Sequence, residues 1–295
     1  MRCSVPTYQV HVDRVEKAQS IDGAKLLTER LEKIKQIQQL TGRPLIVYFS
    51  NFIKGNIVPN NSIDDSDVTA FSDLIEDVPG TDLDVMIHTP GGIVESAERI
   101  VLMLRAKFTS VRFIVSHSAY SAGTLMTFSG DAILMDDRSV LGPVDPQLLF
   151  RDPNTGESQA VPAQAITAGF QRAQTALKDP APEVMKSYLP MLNKLNLHLL
   201  EACNNATALT YRLSQELLTK YMFAGEAEAA AKSEAIAKFF SSHDGTLSHR
   251  RGINIEKAQE QGLKIIDMRA DQKLRSGLWQ LHCAIEFFVD MVGDT

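Results

Sequence analysis

The chain is poor in several things, and each shortage closes off a class of protein. Among its 295 residues there are only three cysteines, Cys3, Cys203 and Cys283. An odd number of scattered thiols makes no disulfide framework and has no metal-ligand spacing, so they read as reduced, mostly buried side chains. None stands at a strand-end turn, where a thiol nucleophile would be displayed. Long apolar runs are also missing. Nothing approaches the ~20 consecutive apolar residues that cross a bilayer, and the opening MRCSVPTYQVHVDRVEK lacks the apolar stretch of a signal peptide, so no membrane span and a cytoplasmic location are expected. Basic residues do not predominate either: 36 Asp and Glu against 30 Lys and Arg give a formal charge of -6. Nucleic acid and anionic membrane surfaces both require a basic face and are therefore poor partners. Finally, TPGG lacks the G-x-G-x-x-G spacing of a dinucleotide loop and no His/Glu or Cys cluster suits a metal, so no cofactor is expected.

What is present is an ordinary globular composition, 44% apolar and 22% charged, at a length that holds one large α/β domain or two small ones. The densest information lies between residues 81 and 147. Val85, Met86 and Ile87 form a short apolar run that stops at Pro90-Gly91-Gly92, and Val111, Phe113, Ile114 and Val115 form another that stops before Ala119-Tyr120-Ser121-Ala122-Gly123. Between them, IVESAERIVLMLRAKF carries Ile93, Ala97, Ile100, Val101, Leu104 and Phe108 at helical spacing. A strand, helix and strand in that order make a parallel crossover, which aims both strand ends at the same edge of a sheet. Two turns distant in sequence are thus expected to meet.

That meeting suits acyl transfer. A serine hydroxyl is a poor nucleophile until a base takes its proton, and the tetrahedral oxyanion needs fixed N–H donors. Gly91-Gly92 offers amides with no side chain in the way. Ser121, at a strand-to-helix turn, would present its hydroxyl above the free N–H groups that open a helix near Ala122.

HTPGG, then SAGT, then LGPVDPQ resembles the serine dehydrogenase proteinase family of the Clp peptidase and crotonase-like superfamily, related to signal peptide peptidase A. The resemblance covers roughly residues 45–265 and is dense from Asp84 to Gln147. It implies an α/β fold, a Clp/crotonase-like core of repeated β-β-α units in a spiral, with additional N- and C-terminal helices. It also implies a serine peptidase acting on a peptide or protein substrate, with Ser121 as nucleophile and Gly91, Gly92 and Ala122 around the oxyanion. The base departs from the pattern. Where Clp peptidases place a histidine after the serine, this chain has GPVDPQ with Asp145, and signal peptide peptidase relatives use lysine instead. The resemblance of INIEKAQEQGLKI to the superfamily's closing helix and strand favours His249, with Asp145 as its orienter; His243, Lys178 and Lys186 are alternative bases. For Asp145, a turn acid bonding its own backbone is an equal alternative. His88, just before Thr89-Pro90, reads as a supporting residue of the loop.

The flanks divide the chain into a helical arm over 1–44, a protease domain over 45–270 whose part 150–240 is a largely helical insertion, and an amphipathic helix over 271–295. Leu26, Leu27, Leu31, Ile34 and Ile37 define the arm; Pro44–Phe49 is a buried strand; 150–160 has turn composition. Leu274, Leu278, Trp279, Leu281, Ile285, Phe288 and Val289 give the last helix a face for packing against another subunit, since members of the superfamily assemble as homo-oligomers. Two other functions share the motif: an acyl-thioester enzyme of the crotonase kind, which needs the paired donors but no serine, and a scaffold or peptide-binding protein without activity. SAGT at the nucleophile position favours the peptidase. The sequence leaves a partner ATPase undetermined.

Overall fold

The computed structural model describes residues 23–52, 61–151, 156, 158–178, 181–192, 197–242, 248–249 and 251–293. Helix α1, Gly23–Thr41, lies within the expected arm, whose residues 1–22 are outside the described ones, and ends on Gly42 at φ +68°, whose N–H closes on the Gln38 carbonyl at 2.8 Å. Glycine stands there because the left-handed backbone penalises any Cβ. Strand β1 (Leu45–Phe49) follows, then α2 (Asp65–Glu76), β2 (Asp82–Thr89), α3 (Val94–Lys107) and β3 (Ser110–Ala119). Helix α2 starts from a capping box: Asp64 accepts from the Ser66 N–H, and the Asp67 carboxylate accepts from the Asp64 N–H. Beyond β3 come the short α4 (Ala122–Thr127), β4 (Ala132–Met135) and β5 (Val140–Leu141).

The sheet has the order β1-β2-β3-β4-β8, where β8 is Ile265–Asp267, with β5 beside the end of β3; every pairing in it is parallel. Its strands alternate between two cores. Val85, Ile87, Phe113, Val115, Ile133 and Met135 face one side and pack with Ile100 and Leu104 of α3 and Leu125 and Phe128 of and beside α4. Met86, Ile114 and Leu134 face the other, against Ile37 of α1 and Leu278, Leu281 and Ile285 of the final helix. Both faces are covered, which is why these strands read as continuous apolar runs. Phe113 and Ile114, fully buried on opposite faces, each contribute roughly 1.5–3 kcal/mol. At the opposite end of the strands from the turns, the buried Asp84 carboxylate is held by Arg43 and Arg112 at 2.8 Å each.

Three expectations are corrected. The turn composition of 150–160 holds no further than its middle, which lies largely outside the described residues: at its ends β6 (Gln147–Arg151) and β7 (Ser158–Pro162) pair antiparallel from Gln147↔Pro162 to Arg151↔Ser158. Cross-strand pairing overrides weak local preference there. Ile93 does not join the buried face of α3; it precedes that helix and is 48% exposed. The C-terminal helix, α10 in the sequence of helices α5 (Ala163–Ala176), α6 (Pro182–Leu192), α7 (Leu197–Leu217), α8 (Ala229–Ser241), α9 (Ile255–Glu260) and α10 (Gln272–Gly293), spends its apolar face on α1 and the sheet of its own chain rather than on a second subunit. Among the described residues no helix is long and apolar enough to cross a membrane.

Candidate active site

The turns after β2 and β3 come together because those strands are neighbours in register, with Thr89 opposite Ala119. Tyr120 donates its N–H to the Thr89 carbonyl at 3.1 Å, which carries the pairing one step past the ladder. The approach is close. A Cβ on Gly91 would lie 2.7 Å from the Ser121 Cβ and from the Tyr120 carbonyl, and 3.1 Å from the Ala122 nitrogen. No side chain fits at Gly91, nor at Gly92, where a Cβ would meet the Ile63 carbonyl oxygen at 2.2 Å.

Ser121 has φ 50° and ψ -118°, the only positive φ outside glycine among the described residues. Such a conformation costs on the order of 1–3 kcal/mol and persists only where the surroundings enforce it. Here the enforcement is visible. The Gly123 N–H closes on the Tyr120 carbonyl at 2.8 Å and the Leu125 N–H on the Ser121 carbonyl at 3.0 Å. The Thr124 hydroxyl donates to the Ala119 carbonyl at 2.6 Å and accepts from the Gly142 N–H at 3.0 Å. The serine is thereby stitched both to its own strand and to the loop that carries Asp145.

The two glycine amides have different fates. The Gly91 N–H donates to the Thr89 hydroxyl at 3.2 Å. The Gly91 carbonyl accepts from the Ile63 N–H at 2.8 Å, and the Ile93 N–H returns to the Ile63 carbonyl at 2.8 Å. In a trans peptide the N–H points opposite to the C=O, so the Gly92 N–H faces away from Ile63. Among the described residues it has no partner, and neither does the Ala122 N–H that opens α4.

Asp145 and His249, 104 positions apart, meet at 2.8 Å through Oδ1 and Nδ1. Asp145 is fully buried and His249 partly exposed. What brings them together is a bridge of two residues: Leu141 and Ile253 exchange N–H···O bonds of 2.9 and 2.8 Å, laying the chain after His249 antiparallel to β5. Gly142 then packs so tightly on Tyr120 that a Cβ would come within 2.9 Å of its Cα. Through β5 and Gly142 the histidine's segment is anchored to the serine's turn. An acceptor-only carboxylate on Nδ1 fixes the neutral imidazole with its proton there, leaving Nε2 as the basic nitrogen. The other candidates fare differently. Lys178 and Lys186 are solvent-exposed, the first just beyond α5 and the second on α6, and His243 lies outside the described residues.

His88 takes part in an assembly that sequence reasoning missed. Between Ile87↔Val115 and Thr89↔Ala119 the register shifts, so β3 bulges opposite His88. Its Nδ1 accepts the Ser118 N–H at 3.3 Å, and its ring meets those of His117 and His282 at 5.5 and 4.9 Å. His282 stacks in turn on Trp279, over which the Arg138 guanidinium lies. The signal was there: SHS interrupts an otherwise apolar strand. Burial first, then the neighbouring histidines, push the His88 imidazole down to about 2, and burial, His117 and Arg138 push His282 down to about 3. His88 is therefore neutral at working pH and is no proton acceptor for catalysis. The unfolded chain binds these protons near pH 6.5 and the native chain does not, so stability is full above that pH and falls as pH drops below it. Between pH 6.5 and 5 each of the two histidines should remove up to about 1.4 kcal/mol per pH unit. Urea unfolding midpoints across that range check this, with His282→Gln expected to flatten the slope.

Residues 51–163 match the model of a family described as ClpP-like SDH-type serine proteinase, the family that HTPGG, SAGT and LGPVDPQ resemble. Two proteins of Methanocaldococcus jannaschii, both described as uncharacterized, align with the chain. One is 31% identical over 183 residues, 62% of this chain and 53% of the relative, so the chain spans about half that relative's length. The other is 28% identical over 246 residues, 81% of this chain and 72% of the relative. Among solved structures, a variant of the membrane-bound stomatin-specific protease 1510-N superposes with a TM-score of 0.45 at 16% identity, over 78% of this chain and 81% of that one.

Proposed function

We propose, from the premise that residues 51–163 carry the pattern of the ClpP-like SDH-type serine proteinases, that the chain hydrolyses peptide bonds through an acyl-enzyme on Ser121. The observation that carries the reading is the packing of the Gly91 backbone onto the Ser121 side chain, which leaves two unbonded amides beside one hydroxyl. The Ser121 Oγ attacks the substrate carbonyl carbon as His249 Nε2 takes its proton. The resulting oxyanion is held by the N–H groups of Gly92 and Ala122. Collapse breaks the C–N bond, and the imidazolium returns the proton to the departing amine. Water then repeats the sequence on the ester, releasing the acid and restoring the serine. Asp145 orients the imidazole and stabilises its charged form. Gly91 shapes the turn, its own amide being held by Thr89. The substrate is a peptide or unstructured protein, and the working form is a homo-oligomer.

The test is direct. Incubation with an unfolded protein such as reduced casein should generate new N-termini detectable by mass spectrometry, and prior treatment with a fluorophosphonate should suppress them. Cleavage that survives complete fluorophosphonate labelling would reject a serine mechanism. Absence of both cleavage and labelling, with tight binding of an acyl-CoA, would move the assignment to acyl-thioester chemistry.

A further inference from the structure

The oxyanion turn contains two adjacent glycines with φ of 98° and 154°, and glycine imposes almost no barrier to rotating the peptide between them. Something else must hold the Gly92 N–H in place, and two anchors meet at Gly91 to do so. On one side the Ile63 N–H holds the Gly91 carbonyl at 2.8 Å. On the other the Thr89 hydroxyl holds the Gly91 N–H at 3.2 Å. Together they fix the two peptide planes that join at the Gly91 Cα.

Thr89 is built for this. It is fully buried, its carbonyl receives the Tyr120 N–H, and its methyl carbon sits 2.4 Å from the place a Cβ on Gly123 would take. One residue thus touches the donor turn through its hydroxyl and the nucleophile's helix through its methyl. The hydroxyl itself is oriented from behind. Ser50 donates to it at 3.5 Å, and Tyr48, which donates to the Asp67 carboxylate at 3.0 Å, lies alongside. Asp67 is the same carboxylate that closes the capping box of α2.

We infer that Thr89 is a positioning residue of the oxyanion turn, its hydroxyl holding the Gly91 amide so that the Gly92 amide faces the substrate carbonyl. This rests on the peptidase reading, and the experiment separates the two. The phosphonylation rate of Ser121, and kcat and KM for a peptide, are measured for the wild type, Thr89→Ser and Thr89→Val. Positioning through the hydroxyl predicts that Thr89→Ser stays within about threefold of wild type. Thr89→Val, which keeps the shape and loses the acceptor, should drop about 10- to 100-fold in kcat with KM little changed, a fraction of what a whole oxyanion donor contributes. A space-filling role predicts the reverse order, because Val keeps the methyl contact to Gly123 with full volume while Ser loses it. That reversed order, or equal rates in all three, would overturn the inference. Hydrogen exchange at the Gly91 amide gives an answer independent of activity: it should accelerate in Thr89→Val and not in Thr89→Ser, and unchanged protection would also overturn it. A wild type that never labels at Ser121 is instead the failure of the peptidase reading. Should Thr89→Val not fold, Thr89→Cys, with a poor acceptor in a similar volume, takes its place in both measurements.

Discussion

Ser121→Ala should lower peptide cleavage by about a millionfold, the loss seen when a serine peptidase is deprived of its nucleophile, and should abolish fluorophosphonate labelling in the same preparation. The size follows from what is left behind. Without Oγ no acyl-enzyme forms, and the amides of Gly92 and Ala122 can only stabilise direct attack by water, which still retains a modest advantage over the uncatalysed reaction. Stability should barely move. Alanine suffers the same left-handed strain at φ 50° as serine does, and the bonds that enforce it run through the backbone of Tyr120, Ser121 and Gly123 and the side chain of Thr124. Among the described residues the side chain lost makes no hydrogen bond. Equal thermal unfolding of variant and parent, beside a collapsed cleavage rate, separates a chemical loss from a structural one. Undiminished cleavage by the variant would end the proposal.

The second large effect concerns the base. His249→Ala should cost nearly as much as loss of the serine, because nucleophile and base act as a unit and removing either removes the same step. Asp145→Asn should cost about 10⁴-fold in kcat, since an amide facing Nδ1 can donate to it and so turn the imidazole to the tautomer that presents a proton to the serine instead of a lone pair. The 2.8 Å contact between Asp145 and His249 makes these two variants a pair, and the double variant should be little worse than His249→Ala alone. Lys178→Met and Lys186→Met, at exposed positions beyond α5 and on α6, should leave the rate unchanged. Steady-state kinetics on a single peptide decides the matter: an active His249→Ala beside an inactive lysine variant would assign the base to lysine.

The meeting of the two turns was legible in the sequence because the crossover rule acts on patterns that sequence displays: an apolar run, a helix period and a second apolar run. The division of labour between Gly91 and Gly92 was not. Which amide is spent and which is left open depends on the pairing of Ile63 with the turn, and Ile63 is one apolar residue among polar neighbours with no local mark of that pairing. The Asp145–His249 contact was named only through resemblance. Its cause is a bridge between Leu141 and Ile253, far too short to leave a periodicity. His117 and His282 escaped notice for a related reason: one is polar within a buried strand, the other polar on an apolar helix face, and only docking α10 onto the sheet makes them neighbours of His88. The turn composition of 150–160 concealed the strand ends at Phe150–Arg151 and Ser158–Ala160, because those residues are held by cross-strand pairing rather than by local preference.

The measurement that bears most directly on the whole account is the site of covalent modification. The folded protein is treated with a fluorophosphonate, digested, and the adduct mapped by tandem mass spectrometry. Convergence of a bare-amide turn on an activated hydroxyl predicts one adduct, on Ser121, lost when the protein is unfolded before treatment. An adduct on another residue, or none on the folded chain, would contradict it.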